Sequence, residues 1–291
     1  MAGECDQNCG SCSGSASCGG PVNMRVAPNV DSRISCVIGV VSGKGGVGKS
    51  MIATVLSVLL QRSGLQTAVL DADITGPSVP KAFGIDHLRA NGSERGILPI
   101  ETRTGIRTMS VNLLLEDHLE PVVWRGPVIA GAVKQFWSEV VWGDIDIMLV
   151  DMPPGTGDVP LTVFQSLPVD GIVMVTSPQE LVGEVVDKAA RMAEKMNIPI
   201  VALVENYAWF ECPDCGSRHV IFGDSHAAET AARHRIAMTI QVPIRPALAG
   251  LADRGDIESV DAPWLEPLAA ELRRLAGVAD RQTAAEKISG S

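Results

Sequence analysis

Cys36-Val37-Ile38-Gly39-Val40-Val41, followed after Ser42 by Gly43-Lys44-Gly45-Gly46-Val47-Gly48-Lys49-Ser50, decides how this chain folds. An apolar run without polar alternation reads as a strand buried on both faces. The eight residues behind it have the spacing of a phosphate-binding loop, and Met51 to Gln61 then carry a helical pattern. Glycines let such a loop turn its N–H groups toward a polyphosphate, and the helix behind it adds the positive end of its dipole. In that geometry Lys49 reaches the β and γ phosphates and Ser50 a Mg²⁺ ion. The stretch from Gly43 to Met51 is therefore the candidate nucleotide site. The bland alternative, a glycine-rich turn with a solvated lysine, does not explain why a strand precedes it and a helix follows.

A second lysine, Lys44, stands directly after the first glycine. In this the loop resembles the deviant Walker class of ATPases, where the equivalent lysine reaches across a homodimer to the partner's nucleotide. The alternative for Lys44 is a solvated side chain at a loop edge.

The surrounding chain supports a large α/β domain. Gly64 stops the first helix and Thr67 to Leu70 form a short buried strand, completing one βαβ unit. Further unalternating runs at Ile145 to Val150, Gly171 to Thr176 and Ile198 to Val204 are separated by helix-length segments such as Leu181 to Met196. This predicts a mostly parallel sheet covered by helices on both faces. Residues 86–107 read as a polar excursion with room for a hairpin, and Trp264 to Ala276 as a helix. The folded unit spans residues 31–279, between a Cys/Gly/Ser-rich extension at 1–30 and a frayed tail at 280–291.

In a parallel sheet ligands sit at the carboxyl ends of the strands. Asp71-Ala72-Asp73-Ile74-Thr75-Gly76-Pro77-Ser78 follows one such run, and Asp151-Met152-Pro153-Pro154-Gly155-Thr156-Gly157-Asp158 follows another. An aspartate ending an apolar strand is how a Walker B site holds Mg²⁺, which points to Asp151. Asp73 is the candidate for orienting the attacking water, by position and not as a strong base, because its reference pKa is about 4. Lys44, Lys49, Asp73 and Asp151 form the expected catalytic set, for a slow hydrolysis of the γ-phosphate.

A second chemical centre is Cys212-Pro213-Asp214-Cys215-Gly216. Two thiolates in a turn grip one metal atom but cannot close a tetrahedral site. Two copies in a dimer supply four sulfurs, enough for one bridging [4Fe-4S] cluster. The alternative is a redox or incidental pair, and His219 and His226 stand alone as surface residues. Cys5, Cys9, Cys12 and Cys18 place four more thiolates within fourteen residues of glycine-rich chain, sufficient for a cluster or a Zn²⁺ site, or for adventitious metal. Cys36, inside the first strand, reads as a small buried hydrophobe.

Composition narrows the function classes. Of 291 residues, 46% are hydrophobic, so the chain can bury a full core. A formal charge of −10 without clustered Lys and Arg argues against a nucleic-acid surface. No run approaches the roughly 20 apolar residues of a membrane span, and the polar, cysteine-rich start is unlike a secretion signal. The expectation is a cytoplasmic protein, in which seven cysteines serve metal or redox chemistry before disulfides.

Together the residues resemble the Mrp-type iron-sulfur cluster carriers, MinD-like P-loop ATPases that include the Nbp-type scaffolds. The resemblance runs from about Val37 to Ile257. It rests on the loop at 43–50, Asp-Ala-Asp-Ile at 71–74, Gly-Pro-Ser at 76–78, Trp-Arg-Gly-Pro at 124–127 and the Asp151 to Asp158 motif. Ser-Pro-Gln at 177–179, Glu-Asn at 205–206 and Cys-Pro-Asp-Cys at 212–215 complete it. It implies a P-loop NTPase fold and a homodimer with ATP and Mg²⁺ at the interface, Asn206 on the adenine and a cluster bridging the two Cys212/Cys215 pairs. It also implies delivery of that cluster to apoproteins, with cluster donors as further partners. Thr75 stands where many members carry tyrosine, and the N-terminal tetrad has fewer residues between its first two cysteines than the Nbp-type branch. The competing functions are a MinD- or ParA-like positioning ATPase and an electron-transfer ATPase like nitrogenase reductase. Against the first, Glu266 and Glu271 lie among Arg273 and Arg274 where a basic membrane helix would be needed.

Overall fold

A computed structural model describes residues 25–73, 78–115, 126–155, 157–179 and 184–277. The run that opens the sequence reading becomes β1 (Val37–Ser42), buried at every position. Its side chains alternate between two cores: Ile38 and Val40 face one side of the sheet, Val37 and Val41 the other. That is the physical reason for an unbroken apolar run, since neither face meets water.

The strands that follow are β2 (Thr67–Asp71), β3 (Ile100–Glu101), β4 (Arg107–Ser110), β5 (Ile147–Asp151), β6 (Gly171–Thr176), β7 (Ile200–Glu205) and β8 (Thr239–Gln241). They form an eight-stranded sheet in the order β8-β7-β6-β1-β5-β2-β4-β3. Every pairing is parallel except that of β3 with β4. Residues 86–107 thus hold more than a hairpin. Gly92–Ser93 and Gly96–Ile97 make the small antiparallel pair, while Ile100–Glu101 and the strand begun by Arg107 extend the main sheet. The run from Ile145 is also divided: Asp144–Ile145 pairs with Arg33–Ile34, and the main strand starts at Ile147.

Helix α1 (Lys49–Arg62) is buried over most of its surface, as a helix apolar on nearly all sides must be. Gly64, in the left-handed region at φ 91°, ends it, and Leu65 N–H returns to the Leu60 carbonyl. Helix α2 is Ser78–Ala82, α3 Gly126–Glu139, α4 Asp158–Ser166, α5 Glu184–Lys195, α6 Ala227–Arg233, α7 Pro246–Asp253 and α8 Glu266–Leu275. Residues of α1, α2 and α8 pack with one core, and residues of α3 to α6 with the other. None of the helices among the described residues is long and apolar enough to cross a membrane.

A glycine pair ties two of these helices together beside the carboxyl edge of the sheet. Gly84 follows α2 at φ 69° and Gly255 follows α7 at φ 68°, and their backbones touch. A Cβ on Gly255 would run into Gly84 Cα and stand 2.9 Å from its nitrogen. Gly255→Ala is expected to lower stability by about 2 kcal/mol or more, from left-handed strain and backbone collision together. Gly64→Ala, with open space around its Cβ, should lose only about 1 kcal/mol. Denaturant titration of the two variants tests the difference.

Candidate nucleotide and thiolate sites

The carboxyl ends of β1, β2, β5 and β7 lie along one sheet edge, and each carries a residue singled out in the sequence. Register fixes the arrangement: Asp71 is the sheet partner of Asp151 and of Ser110, and Val40 is the partner of Asp151. The loop from Gly43 to Gly48 closes over this edge. Gly46 (φ 85°) and Gly48 (φ 84°) occupy the left-handed region that glycine tolerates, and Gly48 is the N-cap of α1. Ser42 Oγ donates to the Lys44 carbonyl at 2.9 Å, and Gly155 N–H donates to the Ser42 carbonyl at 2.8 Å. The loop is thereby fastened to the turn behind Asp151.

Lys49 is 5% exposed and points into the edge. Its Nζ lies 2.5 Å from Asp151 Oδ1, 3.5 Å from Asp73 Oδ2 and 3.3 Å from Ser50 Oγ. Asp151 is fully buried, and its Oδ2 has no hydrogen-bond partner among the described residues. Burial raises the Asp151 carboxyl above the ordinary carboxylate range, and Lys49 pulls it partly back. Asp71 is raised well above that range, chiefly by burial and next by the neighbouring Asp151 charge. It is held by Ser110 Oγ at 3.0 Å and by the Asp73 N–H at 3.1 Å. The spare oxygen of Asp151 beside the Ser50 hydroxyl is the oxygen-only donor set that Mg²⁺ takes. The glycine cradle opening on it fits a polyphosphate.

A cavity of about 460 Å³ lies over the loop, lined by Lys44, Gly46, Lys49, Ser50 and Asp73 among others. Sequence reasoning missed part of its wall. Lys81 and Asp253, an ion pair at 3.2 Å, stand at its α2 and α7 side, and Pro154 and Tyr207 also line it. Met51 and Tyr207 continue into a smaller slot of about 100 Å³ with Asn206, Pro243, Arg245 and Trp264. Asn206 Nδ2 donates to the Val47 carbonyl at 2.8 Å, and its N–H to the Thr176 carbonyl at 2.8 Å. A Cβ on Gly48 would collide with the same amide, which explains glycine there independently of its φ. Tyr207 at φ 62° turns the chain out of the sheet, a backbone choice its sequence does not announce.

The turn leads to the cysteine pair. Phe210–Glu211 and Arg218–His219 form a two-stranded antiparallel hairpin with Cys212 half-buried and Cys215 exposed at its tip. Cys212 N–H donates to the Ser217 carbonyl and Gly216 N–H to the Cys212 carbonyl, both at 2.9 Å. Cys215 Sγ lies 3.2 Å from Ser217 Oγ. Hydrogen bonds from the Ser217 hydroxyl, then from its backbone and from Cys212, lower the Cys215 thiol below its ordinary value and favour the thiolate that binds metal. No group of three or more His, Cys, Asp or Glu side chains suited to a metal occurs among the described residues. One chain therefore offers two thiols here. His219 is exposed, and His226 stands at the N-cap position of α6 without a side-chain capping hydrogen bond. Cys36 is 2% exposed, with its thiol pushed up to about 12 by burial, as expected of a packing residue. Cys5, Cys9, Cys12 and Cys18 lie outside the described residues, as do Thr75 and Trp124.

The family model described as the NUBPL iron-transfer P-loop NTPase matches residues 33–276. An iron-sulfur cluster carrier protein of Methanococcus maripaludis is 39% identical over 261 residues, covering 88% of this chain and 90% of the relative. An Arabidopsis thaliana mitochondrial iron-sulfur protein required for NADH dehydrogenase is 38% identical, covering 78% and 72%. Among solved structures, a nucleotide-binding protein from Archaeoglobus fulgidus in complex with ADP superposes with TM-score 0.73 at 41% identity, over 80% of this chain and 91% of that one. MinD of Aquifex aeolicus in its MinC complex shares the fold at TM-score 0.57 and 19% identity, over 83% and 96%.

The raised Asp71 carboxyl has a consequence for stability. A folded pKa above the unfolded value of 3.8 means the folded state holds the proton longer, so stability falls as pH rises through that window. Asp71→Asn removes this loss while keeping an acceptor for the Asp73 N–H. Its melting temperature should exceed that of the wild type at pH 7, and the advantage should vanish toward pH 4. Melting curves of both proteins from pH 4 to pH 8 test the sign.

Proposed function

This chain belongs to the NUBPL iron-transfer P-loop NTPase family, and from that premise we propose that it is an ATP-dependent carrier of iron-sulfur clusters acting as a homodimer. The supporting observation is the pairing of two features on one chain. A buried Lys49–Asp151 phosphate edge sits at one position, and a hairpin bearing two thiols, too few to close a site, places its first cysteine six residues beyond the asparagine that grips the P-loop.

In this reading Gly43, Lys44, Gly45, Gly46, Val47, Gly48, Lys49, Ser50 and Met51 hold the nucleotide, and Asn206 its base. Lys49 exchanges Asp151 for β and γ phosphate oxygens. Mg²⁺ would be held by Ser50 and Asp151 and balances charge on the phosphates. Asp73, already within 3.5 Å of Lys49 Nζ, orients a water toward the γ-phosphorus. The water oxygen bonds to phosphorus as the bond to the β-phosphate oxygen breaks, and the proton leaves to phosphate and solvent. Lys44 contributes to the partner's nucleotide. Cys212 and Cys215 of each protomer ligate the cargo, a [4Fe-4S] cluster, which is passed to apoproteins. Cys5, Cys9, Cys12 and Cys18 form a second metal site.

Lys49→Ala is expected to lower ATP hydrolysis by about 100-fold or more, measured as phosphate release under saturating nucleotide. Iron and sulfide analysis of anaerobically reconstituted protein tests the cargo. Cys212→Ala/Cys215→Ala should lose about four iron per dimer, and deletion of residues 1–30 should lose the remainder. Iron that survives the double substitution sinks the bridging site.

A further inference from the structure

We propose that Arg245 is a positioning residue that joins the nucleotide's base slot to the cysteine hairpin, so that nucleotide binding resets the exposure of Cys212 and Cys215. The proposal rests on the reading above of both sites and adds the residue that connects them.

Arg245 is half-exposed and lies between the two cavities. On one side it lines the slot that also contains Asn206 and Met51, and its guanidinium carbon lies 5.4 Å from the centre of the Trp264 ring. On the other side it lines a separate cavity of about 330 Å³ with Cys212 and Gly216. There its Nη2 lies 3.6 Å from Glu211 Oε2, on the residue directly before Cys212. Arg245 is also the N-cap of α7, the helix whose far end brings Ala252 and Asp253 to the wall of the P-loop cavity.

The backbone around it is continuous in the same direction. Residues 206–211 run beside residues 242–245: Ala208 N–H donates to the Val242 carbonyl at 3.0 Å and Ile244 N–H to the Trp209 carbonyl at 2.7 Å. Phe210 bridges Ile244 in parallel register. Asn206, the first residue of this strap, is bonded to the P-loop carbonyl of Val47, and Cys212 is its continuation. A base entering the slot meets Asn206 and the Trp264 face on which Arg245 rests. The ion pair to Glu211 is weak by itself because both partners meet solvent. Its effect is to make one planar cation answer to both cavities, since a guanidinium that shifts on Trp264 must shift against Glu211. The indole N–H groups of Trp209 and Trp264 are buried with no partner among the described residues. Trp209 in the strap and Trp264 beneath Arg245 therefore have bonding capacity that a second arrangement can use.

Peptide-resolved alkylation by iodoacetamide tests this on the full-length, metal-stripped protein, because it needs no cluster. MgATP is expected to change the alkylation rate of Cys212 and Cys215 by about five-fold or more in the wild type. In Arg245→Leu, at MgATP concentrations that saturate the variant, the ratio should fall to about one; Arg245→Lys should restore part of the ratio. Glu211→Gln, which touches only the exposed hairpin side, should reduce it as well. A ratio in Arg245→Leu equal to wild type places the connection elsewhere. A wild-type ratio of one removes it altogether, and loss of nucleotide binding in Arg245→Leu makes Arg245 part of the binding site and overturns the proposal. The outcome separates from the carrier reading: a wild-type protein that shows the ratio but holds no iron fails only as a carrier.

Discussion

The buried contact between Lys49 and Asp151 is the constraint on which this structure depends. Two opposite charges, 5% and 0% exposed, meet at 2.5 Å where the central strands end. Neither is tolerable alone in that setting, since breaking a buried pair costs about 3–5 kcal/mol. The pair therefore obliges β1, its loop and β5 to keep one register, and the sheet partnership of Val40 with Asp151 is that register seen in the backbone. The pair is also poised for exchange. A phosphate offers Lys49 the same negative partner, and Asp151 already has an oxygen without a hydrogen bond among the described residues.

Around this contact the molecule divides its labour by burial. Asp71, Asp151 and Lys49 are enclosed, so their interactions are strong and their geometry is fixed by packing on both faces of the sheet. Cys212 and Cys215 sit on a two-residue-per-strand hairpin near solvent, held by local hydrogen bonds through Ser217 and Gly216. A hairpin of that size is marginal in isolation and takes its position from its anchor. Here the anchor is the strap from Asn206 to Glu211 lying along residues 242–245. The proposed carrier role needs this division: the nucleotide edge must be preorganised to stabilise charge, while thiols proposed to hand cargo onward must be reachable.

Much of this was legible in the chain itself. The loop from Gly43 to Ser50 is legible because phosphate recognition is carried by backbone geometry, which demands glycine at fixed intervals. The strands ending in Asp71 and Asp151 are legible because a strand buried on both faces has no polar alternation, and the first carboxylate after it stands out. The cysteine pair is legible because metal ligation needs particular side chains at particular spacing. Boundaries were less so: Asp146 divides the run from Ile145, and α1 begins at Lys49, inside the motif.

The sequence by itself determined the fold class, the phosphate loop, the two acidic strand ends and the thiolate pair, since each is a local pattern with a local physical cause. Only the tertiary structure decided what faces them. Ser110 reaches Asp71 across 39 positions, Asn206 reaches Val47 across 159, and Lys81 reaches Asp253 across 172. Arg245 meets Trp264 and Glu211 because one strap happens to lie beside another. Contacts of this kind leave no periodicity and no motif. They arise when burying the two faces of one sheet brings distant segments to a common edge, and that is settled by the packing of the whole chain.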